Sequence, residues 1–412
     1  MKIRSITYFC NPKYPLDEKV LRQGGEFLAR AKSAYEAAGY EVQTTRLAGI
    51  PFPKLMGEKN INDLPKFAEQ LTKFLQQIGV AYLSLGPALP DLPRSYELIP
   101  EAISASENIF FSGVMADDKI YMAAVRACAQ VIVKSAPIDP NGFANLRFTA
   151  LANVNAGAPF FPAAYHDNDQ PAFAIATEAA DLAVDAFSTV DNGPLTLDEG
   201  RQSLISGITK HGQALARIAA SLDHKFLGID FSLAPFPDDL HSLGNAVEKM
   251  GVHRIGLHGS LAAAALLTEA VDRADFPHTG FSGFMQPVLE DSVLARRAAD
   301  GSLTIKDLLL YSTVCGTGLD TVPLPGDTSA EQIVPLLLDL SALALRLDKP
   351  LTARLMPVPG KKAGETTTFD FGFFANSKVM TLDAEPLSSP LNGGEVIGIM
   401  KRKKDRPDHG RI

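Results

Sequence analysis

Four stretches put polar or thiol side chains where an apolar run stops. In Asp230-Phe-Ser-Leu-Ala-Pro-Phe-Pro237, Asp230 and Ser232 leave an apolar strand just before a proline-stiffened turn. A rigid turn suits a fixed ligand contact, and it equally suits a carboxylate that caps the chain. In His258-Gly-Ser260 an imidazole precedes a helix start, where it can act as a base or a metal ligand, while Ser260 reads as the N-cap of the alanine-rich helix behind it. The run from Gly280-Phe-Ser-Gly283 to Pro287-Val-Leu-Glu-Asp291 combines glycines that admit backbone amides to a ligand with a hydroxyl, Ser282, and two acids. Glu290 and Asp291 open a helix, whose dipole favours acids there with or without chemistry. In Cys315-Gly-Thr-Gly-Leu-Asp320 a thiol stands beside two glycines and ahead of an acid. It is a nucleophile candidate and not a phosphate-binding P-loop, because the lysine and the spacing are missing. Asp327 reads as a cap for the helix after it.

The first half adds Asn145-Leu-Arg147, Asn153-Val-Asn155 and Phe160-Phe-Pro-Ala-Ala-Tyr-His166. Arg147 is suited to grip a carboxylate with two parallel N–H donors. Tyr165 offers a hydroxyl, and His166 a second imidazole to join His258. Phe160 and Phe161 read more simply as core.

Positioning these groups takes an alternation of strands and helices. Strands are expected at Ile3–Phe9, Glu41–Leu47, Val80–Leu85, Asn145–Leu151, Phe226–Leu233, Arg254–His258 and Thr352–Met356. Helical periodicity marks about Val20–Ala38, Asn62–Ile78, Asp117–Val133 and Leu261–Ala274, and Leu303–Val314 reads equally as helix or strand. Capping boxes open two more helices, at Thr196-Leu-Asp-Glu199 and Thr328-Ser-Ala-Glu331, and His211 falls on the apolar stripe of the first as a satisfied core or edge histidine. Such alternation builds a largely parallel sheet, with ligands at the carboxyl ends of its strands. From Pro357 onward a loose appendage with a β-like run at Thr366–Phe374 is expected.

Composition narrows the classes. The chain has 412 residues, 46% hydrophobic and 21% charged, ample for a compact α/β core. Its net charge of −8 disfavours nucleic acid as a partner. The basic run at Lys401, Arg402, Lys403, Lys404 and Arg406 reads as a solvated tail. Three cysteines at long separations are neither a disulfide framework nor a zinc knuckle and fit a reducing, cytoplasmic setting. No run approaches the ~20 apolar residues of a membrane span.

The ordered set Gly228-Ile-Asp-Phe-Ser-Leu-Ala-Pro235, Met250-Gly, His258-Gly-Ser, Gly280-Phe-Ser-Gly, Pro287-Val-Leu-Glu-Asp291, Cys315-Gly-Thr-Gly-Leu-Asp320 and Leu324-Pro-Gly-Asp-Thr328 resembles the domain-of-unknown-function 711 family, also called uncharacterised protein family 0210. The resemblance spans about residues 1–357. It implies a ten-stranded α/β barrel like that of pyruvate formate-lyase, two parallel five-stranded halves (about 1–190 and 191–357) with a hairpin inserted in the lumen, followed by an appendage and polar tail over 358–412. By that analogy the Cys315 loop is the inserted hairpin. The glycyl-radical motif and the Cys-Cys pair of those enzymes are missing, so no glycyl radical is expected. The family also implies an ACT-type partner protein, and a homo-oligomer is compatible with it.

Three functions remain open. One is an enzyme acting on a small polar carboxylate by acid/base or thiol chemistry, with His258, Asp230 and Glu290 moving protons, Cys315 as nucleophile, and Arg147, Ser232, Ser282, Asp320 and Tyr165 binding substrate; a positioned acid/base pair contributes roughly 10² to 10⁴ in rate. A second is a hydrolase or lyase with a divalent metal held by His166, His258, Asp230 and Glu290. The third is a non-catalytic amino-acid or keto-acid sensor.

Overall fold

The computed structural model describes residues 1–188 and 196–402. Its strands are β1 (Lys2–Phe9), β2 (Val42–Ala48), β3 (Tyr82–Ala88), β4 (Ile109–Ala116), β5 (Ile120–Tyr121), β6 (Phe148–Ala152), β7 (Ala172–Glu178), β8 (Lys225–Asp230), β9 (Ser232–Leu233), β10 (Gly283–Phe284), β11 (Gly318–Pro325), β12 (Leu351–Val358) and β13 (Val396–Ile397). Eleven of them form one mixed sheet whose main path runs β11-β12-β6-β4-β3-β2-β1-β7-β8.

The centre of that path, β6-β4-β3-β2-β1, is parallel throughout. Each end then reverses: β12 pairs antiparallel with β6, and β7 antiparallel with β1. Beyond the reversals β11 runs parallel to β12 and β8 parallel to β7. Parallel strands covered on both faces read as continuous apolar runs, and β4, β7 and β12 are buried nearly end to end. β2 departs from this: Gln43, Thr44, Thr45 and Arg46 are half-buried, the mark of a strand with one face on a cavity.

Past β8 the pairing continues in fragments. Ile229 bridges His278 in parallel, β9 pairs parallel with β10, and Pro287 bridges Asp320 of β11 in parallel. Helices cover the outside. Leu64–Ile78, Arg94–Ser104, Met122–Ser135 and Ala330–Leu347 pack in succession and carry the helical layer from the first half of the chain to the last.

Several expectations need correction. Arg254–His258 is no strand: the segment turns on itself, with Ile255 bridging Leu257. Gly259, with φ 103°, is the N-cap of helix Ser260–Arg273, and Ser260 instead donates to the Leu257 carbonyl at 2.7 Å. The capping box at Thr196 and Glu199 forms as read, whereas the later one uses Ser329 and Gln332, one residue on, and leaves Asp327 exposed and without a capping role. Cys315 lies on the turn between helix Ile305–Tyr311 and β11, so it is part of a helix-to-strand connection and not of a hairpin.

The run Thr366–Phe374 is not a strand, and it is not loose. Phe369 and Phe374 are buried against Leu289, Met356 and Val358, because a phenylalanine-rich segment beside an apolar strand end loses more by staying in water than by ordering. His211 hydrogen-bonds Tyr40 Oη at 3.2 Å, as a satisfied helix histidine. Residues 403–412, with most of the basic run, lie outside the described residues; Lys401 pairs with Asp348. Among the described residues no helix is long and apolar enough to cross a membrane.

Candidate functional site

One cavity is built from both reversals of the sheet. It has a free volume of about 110 Å³ and takes walls from β1, β2, β3, β4, β7 and β12, the Pro159–Phe161 segment, Glu290 and the C-terminal Phe371 and Phe373. Three arginines face it: Arg4 on β1, Arg46 on β2 and Arg354 on β12.

Two of the three are neutralised. Arg354, 5% exposed, donates from Nε to Asp320 at 2.5 Å and from Nη2 to Glu290 at 2.8 Å. Arg4 donates to the other oxygen of Glu290 and lies 3.7 Å from Glu178. Burial alone would raise the Glu290 carboxyl, but Arg4, Arg354 and then Arg46 outweigh it and hold it below its ordinary value. Glu290 is therefore an ionised link between two strands.

Arg46 has no carboxylate. Its Nε donates to Thr44 Oγ1 at 2.9 Å, and its guanidinium lies 5.0 Å from the Phe161 ring centre and 5.8 Å from that of Tyr82. Among the described residues neither terminal nitrogen has an acceptor. Burial, then repulsion from Arg4, draws its pKa down to about 9, so an anion brought to it would relieve a desolvated charge.

Glu178 stands behind this wall. Its Oε2 accepts from Gln43 Nε2 at 2.8 Å, and its Oε1 is buried without a partner. Burial raises its carboxyl above the ordinary value, against the pull of Arg4 and Gln43.

The residues expected from sequence scatter. Asp230 is buried, but its carboxylate accepts the amides of Phe281 and Ser282, both at 2.9 Å, and the Ser232 hydroxyl. The glycine-rich loop thus brings its amides to a protein carboxylate instead of a ligand. Gly280, at φ 64°, is required, since a Cβ there would lie 2.3 Å from Asp230 Oδ2. Ser282 accepts from the Phe231 amide and donates to the Thr279 carbonyl, both at 3.1 Å.

His258 is exposed on its turn. Cys315 is fully buried, its sulfur accepting from the Gly318 amide at 3.3 Å and lying 3.8 Å from Gln286 Nε2. No hydrogen bond joins Asp230, His258 and Cys315, and neither His258 nor Cys315 lines the cavity. Arg147 spends its guanidinium on the backbone: it donates to the Ile103 carbonyl at 3.0 Å and to Ser106, holding the orphan carbonyls at the end of helix Arg94–Ser104. Tyr165 Oη donates to the Val154 carbonyl at 2.9 Å, and His166 Nε2 pairs with the Gln170 carbonyl at 2.9 Å.

The four proposed metal donors do not form a common set. Asp230 and Glu290 spend their oxygens on amides, a hydroxyl and arginines, His166 bonds its own loop, and His258 is at the surface. Among the described residues no three His, Cys, Asp or Glu side chains assemble as a metal site. Glu290 and Asp320 do meet, through Arg354. Asp291 is structural: buried, it accepts from the Val293 and Leu294 amides of its own helix, from Leu243 and Gly244 of helix Leu243–Lys249, and from the Ser242 hydroxyl.

Arg4, Arg46 and Arg354 were passed over in the sequence. An arginine inside the otherwise apolar run Leu351-Thr-Ala-Arg-Leu-Met356, and polar residues filling half of β2, were the signals available.

Residues 1–377 match the family model described as Uncharacterised ACR (DUF711). A UPF0210 protein of Acetivibrio thermocellus is 31% identical over 382 residues, 88% of this chain and 84% of the relative. One from Pyrobaculum arsenaticum is 34% identical over 355 residues, covering 81% and 78%. Another, from Ruminiclostridium cellulolyticum, is 29% identical over 440 residues, covering 98% and 96%. None of these names states an activity.

Proposed function

The chain belongs to the DUF711 family of uncharacterised proteins, and on that premise we propose that it is an enzyme that takes a small carboxylate into the arginine-lined cavity. Arg46 is the anchor. The observation that carries this reading is that it alone of the cavity's three arginines lacks a carboxylate partner. Its terminal nitrogens leave a two-pronged carboxylate contact open. Glu290 is the carboxylate nearest to hand for proton transfer, flanked by Arg4 and Arg354, which would stabilise negative charge developing on the substrate. Thiol chemistry has less support, since Cys315 lies away from the cavity.

We also propose that the sheet closes on itself. The nine strands of the main path plus the segment 278–287 make ten, and the parallel bridges Ile229–His278 and Pro287–Asp320 link that segment to β8 on one side and β11 on the other. Closure of this kind would make two opposed parallel halves, as in pyruvate formate-lyase, with the cavity in the lumen.

The test is calorimetric titration with glycolate, pyruvate and acetate, with turnover followed by NMR. Arg46→Gln should abolish binding, and Glu290→Gln should abolish turnover while binding survives. Binding unaffected by Arg46→Gln ends the reading. A sensor is the second reading, favoured because both Glu290 oxygens are already held by arginines; binding and thermal stabilisation without turnover would select it.

A further inference from the structure

The walls of the cavity and its charge specify a ligand narrower than a small carboxylate in general. Six aromatic side chains, Tyr82, Phe110, Phe160, Phe161, Phe371 and Phe373, line it. They come from β3, β4, the Pro159–Phe161 segment and the C-terminal segment, so aromatic surface is presented from several sides. Phe110 meets Tyr82 edge-on at 5.2 Å and Phe161 at 5.4 Å, while Phe371 meets Phe373 at 5.3 Å. Rings arranged in this way offer faces and edges on which a flat apolar body can stack.

The charges are as restrictive. Arg4 and Arg354 share Glu290 and Asp320, and Glu178 lies 3.7 Å from Arg4, which leaves Arg46 as the cavity arginine with no carboxylate partner among the described residues. A dianion would have to bury a second charge with no free partner, which is costly in so apolar a space. A polyhydroxylated ligand would likewise find few groups besides Gln43, Thr44 and Tyr82 to satisfy its hydroxyls. The free volume of about 110 Å³ is below the ~150 Å³ of an apolar cavity that holds benzene, so a single ring is the upper limit, and an aryl acid is accommodated only with part of it in the mouth of the cavity.

We infer that the cavity selects a monocarboxylate carried on one aromatic ring or a similar compact apolar body, with the carboxylate on Arg46 and the body among the phenylalanines. This rests on the reading that the cavity is the ligand site, and it replaces a polar substrate by an amphiphilic one.

The experiment compares phenylacetate and benzoate with malate, glycolate and inorganic phosphate by isothermal titration on the full chain, on Arg46→Gln and on Phe110→Leu. Phenylacetate or benzoate should bind at least tenfold more tightly than the other three. That preference should shrink in Phe110→Leu, and binding should weaken at least tenfold in Arg46→Gln. If malate, glycolate or phosphate binds as tightly as the aryl acids and still depends on Arg46, the amphiphilic class is overturned while the cavity reading stands. If no probe binds, or if binding ignores Arg46→Gln, both fall together. Melting curves of each variant without ligand separate lost binding from lost folding.

Discussion

Replacing Arg354 with methionine removes the shared partner of two carboxylates. Asp320 is 1% exposed and Glu290 4%, so neither can turn to water. At the 2.8 Å separation of Arg354 from Glu290, with an effective dielectric constant near 20, the attraction is roughly 6 kcal/mol. Desolvating each ion costs several kcal/mol, so the intact network comes out near balance. The substitution does not. Glu290 keeps Arg4, but Asp320 loses its one ion-pair partner, and the expected loss is about 3–5 kcal/mol. In the variant the Asp320 carboxyl is raised by burial and by the neighbouring Glu290, with only the weaker pull of Arg4 against them, so its penalty is fully present above that raised value and fades as pH falls toward the ordinary aspartate range near 3.9. Urea denaturation at pH 8 and pH 5 reads this directly: the deficit relative to the parent should be smaller at pH 5, and Arg354→Met with Asp320→Asn should recover most of it at pH 8. A deficit below about 1 kcal/mol, or one unchanged between the two pH values, would show that the carboxylates are solvated and would refute the network.

Asp291→Ala removes the cap of two helices at once, and at about 1–2 kcal/mol per cap the loss should be roughly 2–4 kcal/mol in the same denaturation assay; a loss near that of a single cap would mean that helix Leu243–Lys249 does not depend on it. Glu178 gives a pH dependence: with its carboxyl raised by burial it is neutral at low pH and adds a negative charge beside Arg4 as pH rises, so affinity for benzenesulfonate, which stays ionised throughout, should fall as pH rises through that transition. Lys2 and His241 also face Glu178, and Glu178→Gln isolates its part by flattening the profile. The three cysteines are buried, with burial pushing the Cys10 thiol up to about 12 and raising Cys128 as well; native protein should therefore leave Ellman's reagent unreacted and release three thiols only in denaturant, and rapid native labelling at Cys315 would restore it as a nucleophile candidate.

The order of elements was legible because parallel strands and amphipathic helices announce themselves locally: β1, β2 and β12 fell within two residues of their expected bounds. The site was harder. Polar residues at strand ends drew attention to Asp230 and His258, yet the first serves to pin its own loop and the second sits on a surface turn mistaken for a strand end. What decides the site is which strand residues face inward, and that depends on register between strands far apart in sequence, such as Arg4 of β1 and Arg354 of β12 reaching one glutamate at position 290. Arg147 and Arg46 look alike in sequence. One caps a helix and the other faces the cavity, a difference set by tertiary contacts alone.

Phe371 and Phe373 are supplied by a stretch that follows the last long strand. During synthesis the arginines of β1 and β2 emerge early, but the chamber around them is walled only when nearly the whole chain has left the ribosome. A product halted at residue 357 would retain most of the sheet while exposing Leu289 and Met356, so premature termination there would yield a sticky, ligand-blind fragment in place of a partly active one.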